Sequence, residues 1–160
     1  MITEEFHLLG DRFSTHTSPP RPPWAIPEPT FIKTCEHCSD CIDACPEHIL
    51  VRGRGGYPQV DFSRGGCTFC GDCTRACKPG GLRPVDEHPW DLKAFIAETC
   101  VAKSGTECSV CGNACRINAI SFRSQVGCCP VPILEEMLCK GCGSCVSACP
   151  ASAIHMYSVV

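Results

Sequence analysis

The sequence predicts a small α+β protein of two tandem modules, in which short hairpins and short helices surround groups of cysteines, behind a Pro-rich N-terminal tail. Cysteine gives the first indication, since 18 of the 160 residues are Cys and sixteen of these form four spaced runs. The second is an internal repeat, because each pair of runs encloses two short stretches of strand-forming residues. The third is the first 34 residues, which contain six prolines and no cysteine.

Three of the runs share the spacing C-x2-C-x2-C-x3-C, and one is stretched to C-x7-C-x2-C-x3-C. In chain order the first to fourth runs are Cys35-Cys38-Cys41-Cys45, Cys67-Cys70-Cys73-Cys77, Cys100-Cys108-Cys111-Cys115 and Cys139-Cys142-Cys145-Cys149. The intact spacing is the bacterial ferredoxin signature for 4Fe–4S clusters, which includes a proline after the last Cys. The sequence therefore predicts two bacterial-ferredoxin-like modules with one 4Fe–4S cluster for each run, four in all.

The ligands of each cluster are expected to come from two runs. Four thiolates hold a cluster, and in two-cluster ferredoxins the fourth Cys of one run ligates the cluster of the other run. On this rule Cys77 completes the first set and Cys45 completes the second. Cys149 completes the third set and Cys115 completes the fourth. All sixteen cysteines of the runs are thus predicted metal ligands.

The stretched third run is the least regular of the four. Seven residues separate Cys100 from Cys108, and Arg116 stands where the intact pattern has proline. We expect the inserted segment to loop out and to return the Cys100 thiolate to the cluster. Two alternatives stay open: a labile cluster with three thiolates, or one that borrows from Cys128 or Cys129. These two cysteines lie outside every run, and we expect neither to be a primary ligand.

Disulfide and zinc chemistry fit the cysteines less well. A disulfide scaffold needs an oxidising compartment, but the N-terminal residues MITEEFHLLG are acidic where a secretory signal would be basic. We therefore expect a cytoplasmic protein. Structural zinc sites pair two C-x2–4-C knuckles across a longer gap, unlike these compact runs. His37 and His48 are isolated histidines near the first cluster, which already has its thiolates, so both are expected to be polar surface residues.

Short strand-forming stretches between the runs predict one hairpin in each module. Residues 49–51 and 57–62 flank a Gly-rich turn, and residues 120–122 and 131–134 lie between the third and fourth runs. The segment 86–99 has a proline near its start and a partial apolar face, which predicts a helix. The predicted division is a tail over 1–34, modules over 35–85 and 100–160, and a linking helix over 86–99.

The Pro-rich N-terminal tail has two interpretations. Its prolines predict a polyproline-like segment without a core of its own. On composition alone it is a disordered leader. Alternatively Trp24 and Arg21 dock on the body or on a partner, because an aromatic side chain in a stiff segment is an anchor of low entropic cost.

Charge and motif content favour a cluster carrier over an enzyme. The formal net charge is −3, and four oxidised clusters with their thiolates would take it to about −11. Such a charge favours a basic partner surface and disfavours nucleic acid. The sequence has no nucleotide-binding loop, no nucleophile motif and no apolar stretch long enough for a bilayer. We therefore expect neither enzymatic activity nor a membrane span.

The order of motifs resembles that of the NapF family of ferredoxin-type proteins over nearly the whole chain. The resemblance is carried by Arg21-Pro22-Pro23-Trp24, Arg52-Gly53, Gly55-Gly56-Tyr57-Pro58, Trp90-Asp91-Leu92, the stretched run, Leu138-Cys139-Lys140-Gly141-Cys142-Gly143 and Cys149-Pro150. The stretched run is the most discriminating feature, because ordinary ferredoxins lack it. The departures are Cys128, Cys129 and Lys78, which leave the resemblance in place and leave room for additional thiol chemistry.

The resemblance implies a cytoplasmic accessory protein of a periplasmic nitrate reductase system. It implies an interaction with the precursor of the catalytic subunit NapA before export. It further implies a role in maturation of that subunit, through assembly or supply of its 4Fe–4S cluster or through adjustment of its redox state. The alternative is a general polyferredoxin electron carrier, or an electron-transfer subunit of an oxidoreductase.

Overall fold

The computed structural model describes residues 19–125 and 128–159, which form short helices and paired strands. The helices are α1 (Glu28–Thr34), α2 (Asp40–Asp43), α3 (Asp72–Ala76), α4 (Val110–Ala114) and α5 (Ser144–Ala148). The strands are β1 (Leu50–Arg52), β2 (Pro58–Val60), β3 (Leu92–Ile96), β4 (Ile120–Gln125), β5 (Cys128–Leu134) and β6 (Ile154–Ser158). This arrangement confirms the predicted α+β class of short helices and hairpins.

Both predicted hairpins are present. Strands β1 and β2 pair antiparallel with Val51 opposite Gln59, and a 3-10 turn at Arg54–Gly56 joins them. Strands β4 and β5 pair antiparallel with Ser121 opposite Ile133. The second hairpin is longer, with an irregularity in its register near its tip. Each hairpin connects the two cysteine runs of its module, so it fixes how the second run returns to the first.

The linking helix predicted over 86–99 is wrong, because this segment contains strand β3. Strand β3 pairs antiparallel with β6, with Ile96 opposite Ile154. Leu92, Ala94 and Ile96 are buried at alternate positions, which is the period of a strand. The apolar residues that suggested a helix face were Trp90, Ala94, Ile96 and Ala97. Only Ala94 and Ile96 lie on the buried face of the strand, and pairing with β6 decides between the two conformations.

The N-terminal module has a counterpart of the β3–β6 pair. Ala25 forms an isolated antiparallel bridge with Leu82. Leu82 follows Cys77 by five residues, as Ile154 follows Cys149. The internal repeat therefore extends beyond the cysteine runs, and the segment around Ala25 takes the place that β3 has in the C-terminal module.

Residues 19–34 pack on the N-terminal module and are not a free leader. Trp24 is only 2% exposed and Phe31, on α1, only 1%. The Trp24 indole N–H donates to the Glu87 carbonyl oxygen at 2.7 Å, and Arg21 pairs with Glu28. Of the two interpretations of the tail, docking of Trp24 and Arg21 on the body is therefore the one that applies to residues 19–34. Residues 1–18 of the predicted tail lie outside the described residues.

Two hydrophobic cores share the interior, and cysteines belong to both. Trp24, Phe31, Ile49 and Phe62 are in the core of the N-terminal module, while buried residues from Ala94 to Ile154 form the second. No polar or charged side chain is buried among the residues that the structure covers. In the same part of the chain, no helix has the length and apolar character needed to cross a membrane.

Trp24→Ala should destabilise the holoprotein by about 3–5 kcal/mol, because a fully buried Trp loses its transfer free energy and leaves a cavity. Anaerobic urea unfolding, followed by loss of cluster absorbance, measures the effect. Ile32→Ala is the matched control in the same segment, since Ile32 is 45% exposed and surface changes stay within about 0.5 kcal/mol. A loss for Trp24→Ala no larger than that of the control would contradict the anchoring role.

Candidate metal centres

Each cysteine run places its third Cys as the buried residue of a one-turn helix. These residues are Cys41 on α2, Cys73 on α3, Cys111 on α4 and Cys145 on α5. In the intact runs the backbone is left-handed just before the helix, at Ser39, Gly71 and Gly143, with φ of 74°, 77° and 78°. This turn reverses the chain directly after the second Cys, so three cysteines of one run face a common space.

A second left-handed turn follows each run by three residues. It lies at His48, Gly80, Asn118 and Ser152, with φ of 52°, 82°, 53° and 48°. In the C-terminal module the turn directs the next amide back at the run. The Ala119 N–H donates to the Cys115 sulfur at 3.2 Å, and the Ala153 N–H donates to the Cys149 sulfur at 3.3 Å. Such bonds stabilise thiolate charge.

Four cavities are each lined by four cysteines. Three cysteines of every cavity come from one run, and the fourth is the last Cys of the other run in the same module. We number the cavities by the run that supplies three cysteines. The first to fourth sets are Cys35, Cys38, Cys41 and Cys77; Cys67, Cys70, Cys73 and Cys45; Cys100, Cys108, Cys111 and Cys149; Cys139, Cys142, Cys145 and Cys115.

The cysteine sets fit a four-iron cluster and do not fit a single metal ion. Four thiolates are the full ligand number of a 4Fe–4S cluster. A zinc ion holds its thiolates at about 2.3 Å, which requires the sulfurs to be nearly in contact with one another. Among the described residues, no three Cys, His, Asp or Glu side chains converge closely enough to hold one metal ion. The wider spacing within each cavity suits the larger cubic cluster.

Burial disfavours ionisation of these thiols unless a cation lies beside them. Burial, together with the smaller effect of the charges of Cys77, Cys73, Cys35 and Cys38, raises the pKa of Cys41 to about 12. Burial also raises the pKa of Cys67, Cys73 and Cys145 to about 12 and that of Cys111 in the same direction. Because a coordinating thiol is deprotonated by its metal, such crowded and buried sets are suited to bound iron.

The stretched third run still brings Cys100 to its cavity. Cys100 is 8% exposed and lines the third cavity together with Cys108 and Cys111. The inserted segment folds on itself, since the Thr106 N–H donates to the Val101 carbonyl oxygen at 2.9 Å. The insertion therefore loops out between two cavity-lining cysteines, as expected. The local backbone differs from that of the intact runs, because the residue directly before α4, Ser109, has a φ of −132° and is not left-handed.

Cys129 lies apart from the four cavities. Its thiol donates to the Gly105 carbonyl oxygen at 3.0 Å, on the inserted segment of the third run. Cys129 is absent from the lining of every one of the four cavities. The side chain of Cys128 lies outside the described residues. The assignment of the sixteen run cysteines as ligands stays a prediction, which this grouping supports.

The environment of the first cavity contains two residues that sequence reasoning placed differently or missed. His48 is exposed as expected, but His37 is half-buried and lines the cavity. Its ring contacts that of Tyr57 at a tilt of 55°, with ring centroids 4.2 Å apart. Arg52 donates to the His37 carbonyl oxygen at 3.4 Å and to the Ser39 hydroxyl. Arg52 thus bonds to the residues on both sides of Cys38, to the backbone of His37 and to the side chain of Ser39. In the sequence, the position of Arg52 directly before the Gly-rich turn is the feature that could have indicated this role.

Comparison with known proteins agrees with this chemistry. Residues 34–80 match the family described as 4Fe-4S dicluster domain, and residues 132–155 match the 4Fe-4S binding domain. The chain is 40% identical to the ferredoxin-type protein NapF of Escherichia coli K12 over 147 residues, which cover 92% of this chain and 90% of that protein. Identity to NapF of Haemophilus influenzae Rd is 42%, over 85% of this chain and 77% of that protein.

A second group of relatives has a different name. The methylamine utilization ferredoxin-type protein MauM of Methylophilus methylotrophus is 33% identical over 163 residues, which cover 91% of this chain and 72% of that protein. The relatives are named ferredoxin-type proteins and the two matched families are 4Fe–4S domains, so this chain is an iron–sulfur protein of the ferredoxin type that transfers electrons. With its cysteine runs and this extent of identity, the chain belongs to the NapF family of ferredoxin-type proteins.

Proposed function

We propose that the chain holds four 4Fe–4S clusters, one in each cavity, with the sixteen run cysteines as their ligands. The observation that carries this proposal is the lining of each cavity by four cysteines, three from one run and one from its partner. Bound clusters of this type supply reversible one-electron transfer. The ligand sets use every run cysteine once, so no further side chain is needed to complete a cluster.

Residues near the four cysteine sets influence the negative charge on the ligand sulfurs by donating hydrogen bonds to them. Amide donors reach the sulfurs of Cys67, Cys115 and Cys149. Hydrogen bonds to sulfur and solvent exposure are the two levers by which a protein sets the reduction potential of a cluster. Because these donors are distributed unequally among the sets, we expect the four clusters to have different potentials.

In its biological role, we propose that the protein acts in the cytoplasm on the precursor of the nitrate reductase catalytic subunit NapA. It would assemble or supply the 4Fe–4S cluster of that subunit, or adjust its redox state. Identity to NapF over 92% of this chain supports the proposal, as does the stretched third run. A general electron carrier is the second candidate, and the MauM relatives favour it because they belong to another metabolic system by name.

The anaerobically prepared protein should contain about 16 irons, as four clusters require. Cys100→Ser should lower the iron and sulfide content by one cluster, because the third set loses a thiolate. Cys129→Ser is the control and should leave the content unchanged, since Cys129 lines none of the four cavities. About 12 irons in the unmodified protein, or no loss in Cys100→Ser, would exclude the third set as proposed.

The crossing of ligands between runs can be tested by comparing variants. Cys38→Ser and Cys77→Ser should remove the same cluster, because both residues line the first cavity. Cys70→Ser and Cys45→Ser should both remove the cluster of the second cavity. EPR spectra of the reduced variants identify the missing cluster. If the spectrum of Cys77→Ser matched that of Cys70→Ser instead, each run would hold its own cluster.

The two candidate roles differ in where the iron goes. A maturation factor should bind the cluster-free NapA precursor and transfer iron to it, whereas an electron carrier should keep its clusters and exchange electrons. Anaerobic incubation with the precursor, followed by separation and iron counting of both proteins, distinguishes them. Failure to bind the precursor, together with fast electron exchange with a donor, would sink the maturation role.

A further inference from the structure

The second and fourth cysteine runs are in direct contact across the boundary between the modules. The Cys67 N–H donates to the Cys142 carbonyl oxygen at 2.7 Å. Next to this bond the backbones are closely packed, since a Cβ atom added to Gly66 would lie 2.7 Å from the Ser144 nitrogen. Cys67 lines the second cavity and Cys142 lines the fourth. A ligand residue of one module is therefore hydrogen-bonded to a ligand residue of the other.

Aromatic side chains surround this contact, which we call the seam. Trp90 packs edge-on against Phe69 and Phe62, with ring centroids 5.8 Å and 5.9 Å apart. Its indole N–H donates to the Lys140 carbonyl oxygen at 3.1 Å, so one side chain connects both cysteine runs. A Cβ atom added to Gly143 would lie 2.0 Å from the Phe62 ring. The seam is thus a packed interface with a defined register.

The two cavities of each module lie next to each other. On and just after α2, Cys41 lines the first cavity and Cys45, four residues later, lines the second. On and just after α4, Cys111 lines the third cavity and Cys115 lines the fourth. One helical turn therefore separates the cavities of a module, and the seam joins the second cavity to the fourth. The spatial order is first, second, fourth, third.

We propose that the four cavities form one electron-transfer row in this order, and that the middle step crosses the seam between Cys67 and Cys142. This inference rests on the proposed clusters. With clusters bound in the second and fourth cavities, this step would transfer one electron from the reduced cluster to the oxidised one. No proton would move and no bond would change. Covalent bonds and a single hydrogen bond connect the two sulfurs. The first and third cavities are then the ends of the row, where external partners donate or accept electrons.

Two cluster-depleted proteins test the order. In the inner-pair protein, Cys35, Cys38, Cys108 and Cys111 are changed to Ala, which leaves the second and fourth sets complete. In the outer-pair protein, Cys70, Cys73, Cys142 and Cys145 are changed to Ala, which leaves the first and third sets complete. Each should retain about eight irons, as two clusters require. The Cys142 backbone carbonyl that accepts the seam bond is present in both.

After reduction with dithionite, the inner-pair protein should give EPR signals split or broadened by magnetic interaction between neighbouring clusters. The outer-pair protein should give two independent signals without that splitting. If the inner-pair protein contained about eight irons but its EPR signals showed no magnetic interaction, the proposed order of the cavities would be wrong. Fewer than about 16 irons in the unmodified protein would instead overturn the four-cluster proposal, so the two failures are distinguishable.

A second experiment uses the full set of clusters, in case depletion prevents folding. The series Gly66→Ala, Gly66→Val and Gly66→Leu inserts side chains of increasing size against the Ser144 backbone. Hydrogen exchange of the peptide containing Cys67 identifies the variant in which the seam opens. In that variant the reduced protein should lose the inter-module part of its magnetic interaction at unchanged iron content.

Gly53→Ala is the matched control for this series, because its added Cβ meets only the end of the Gln59 side chain, away from the seam. It should retain both the hydrogen-exchange protection at Cys67 and the EPR spectrum of the unmodified protein. A magnetic interaction that persists unchanged when the seam is open would overturn the proposed middle step.

Discussion

The crossing of one cysteine between runs is the constraint on which the architecture depends. Each cavity takes its fourth Cys from the partner run, so neither run of a module can complete a set alone. The hairpin between the runs must therefore return the chain by a fixed distance, and the left-handed turns must orient each last Cys across the module. The turn positions and the one-turn helices, which recur in both modules, follow from this requirement, whereas the two hairpins differ in length.

The same crossing explains how a chain with few large side chains has an interior. Cysteines make up a large part of both cores, where other proteins have Leu, Ile or Phe. Buried thiols contribute modest apolar area, and their burial, followed by their crowding, raises the pKa of the central ones. Bound metal converts this crowding into coordination, so in such a protein metal binding and folding share one free energy. Metal coordination thus contributes stabilisation that large apolar side chains provide in the cores of other proteins.

Sequence reasoning was most successful where local spacing determines structure. The two hairpins follow from short strand-forming stretches and a Gly-rich turn, and the grouping of cysteines follows from the spacing of the runs. It failed at β3, because Leu92, Ala94 and Ile96 suit a strand only when β6 is available as a partner far along the chain. The seam could not be predicted either, since Gly66 and Ser144 have no local pattern that indicates their contact. The docking of Trp24 depended equally on distant carbonyl groups.

The seam also has a consequence for the order of events during synthesis. Cys142 follows Cys67 by 75 positions, which at 5–20 residues per second is a delay of about 4–15 s. Cys77 completes the second run ten positions after Cys67. For most of this interval the N-terminal module therefore has both of its runs and its β1–β2 hairpin, while Gly66 and the Cys67 N–H have no Ser144 or Cys142 to contact. Every residue that lines the second cavity lies between Pro23 and Cys73, so the ligands of this cavity are complete before the seam can form.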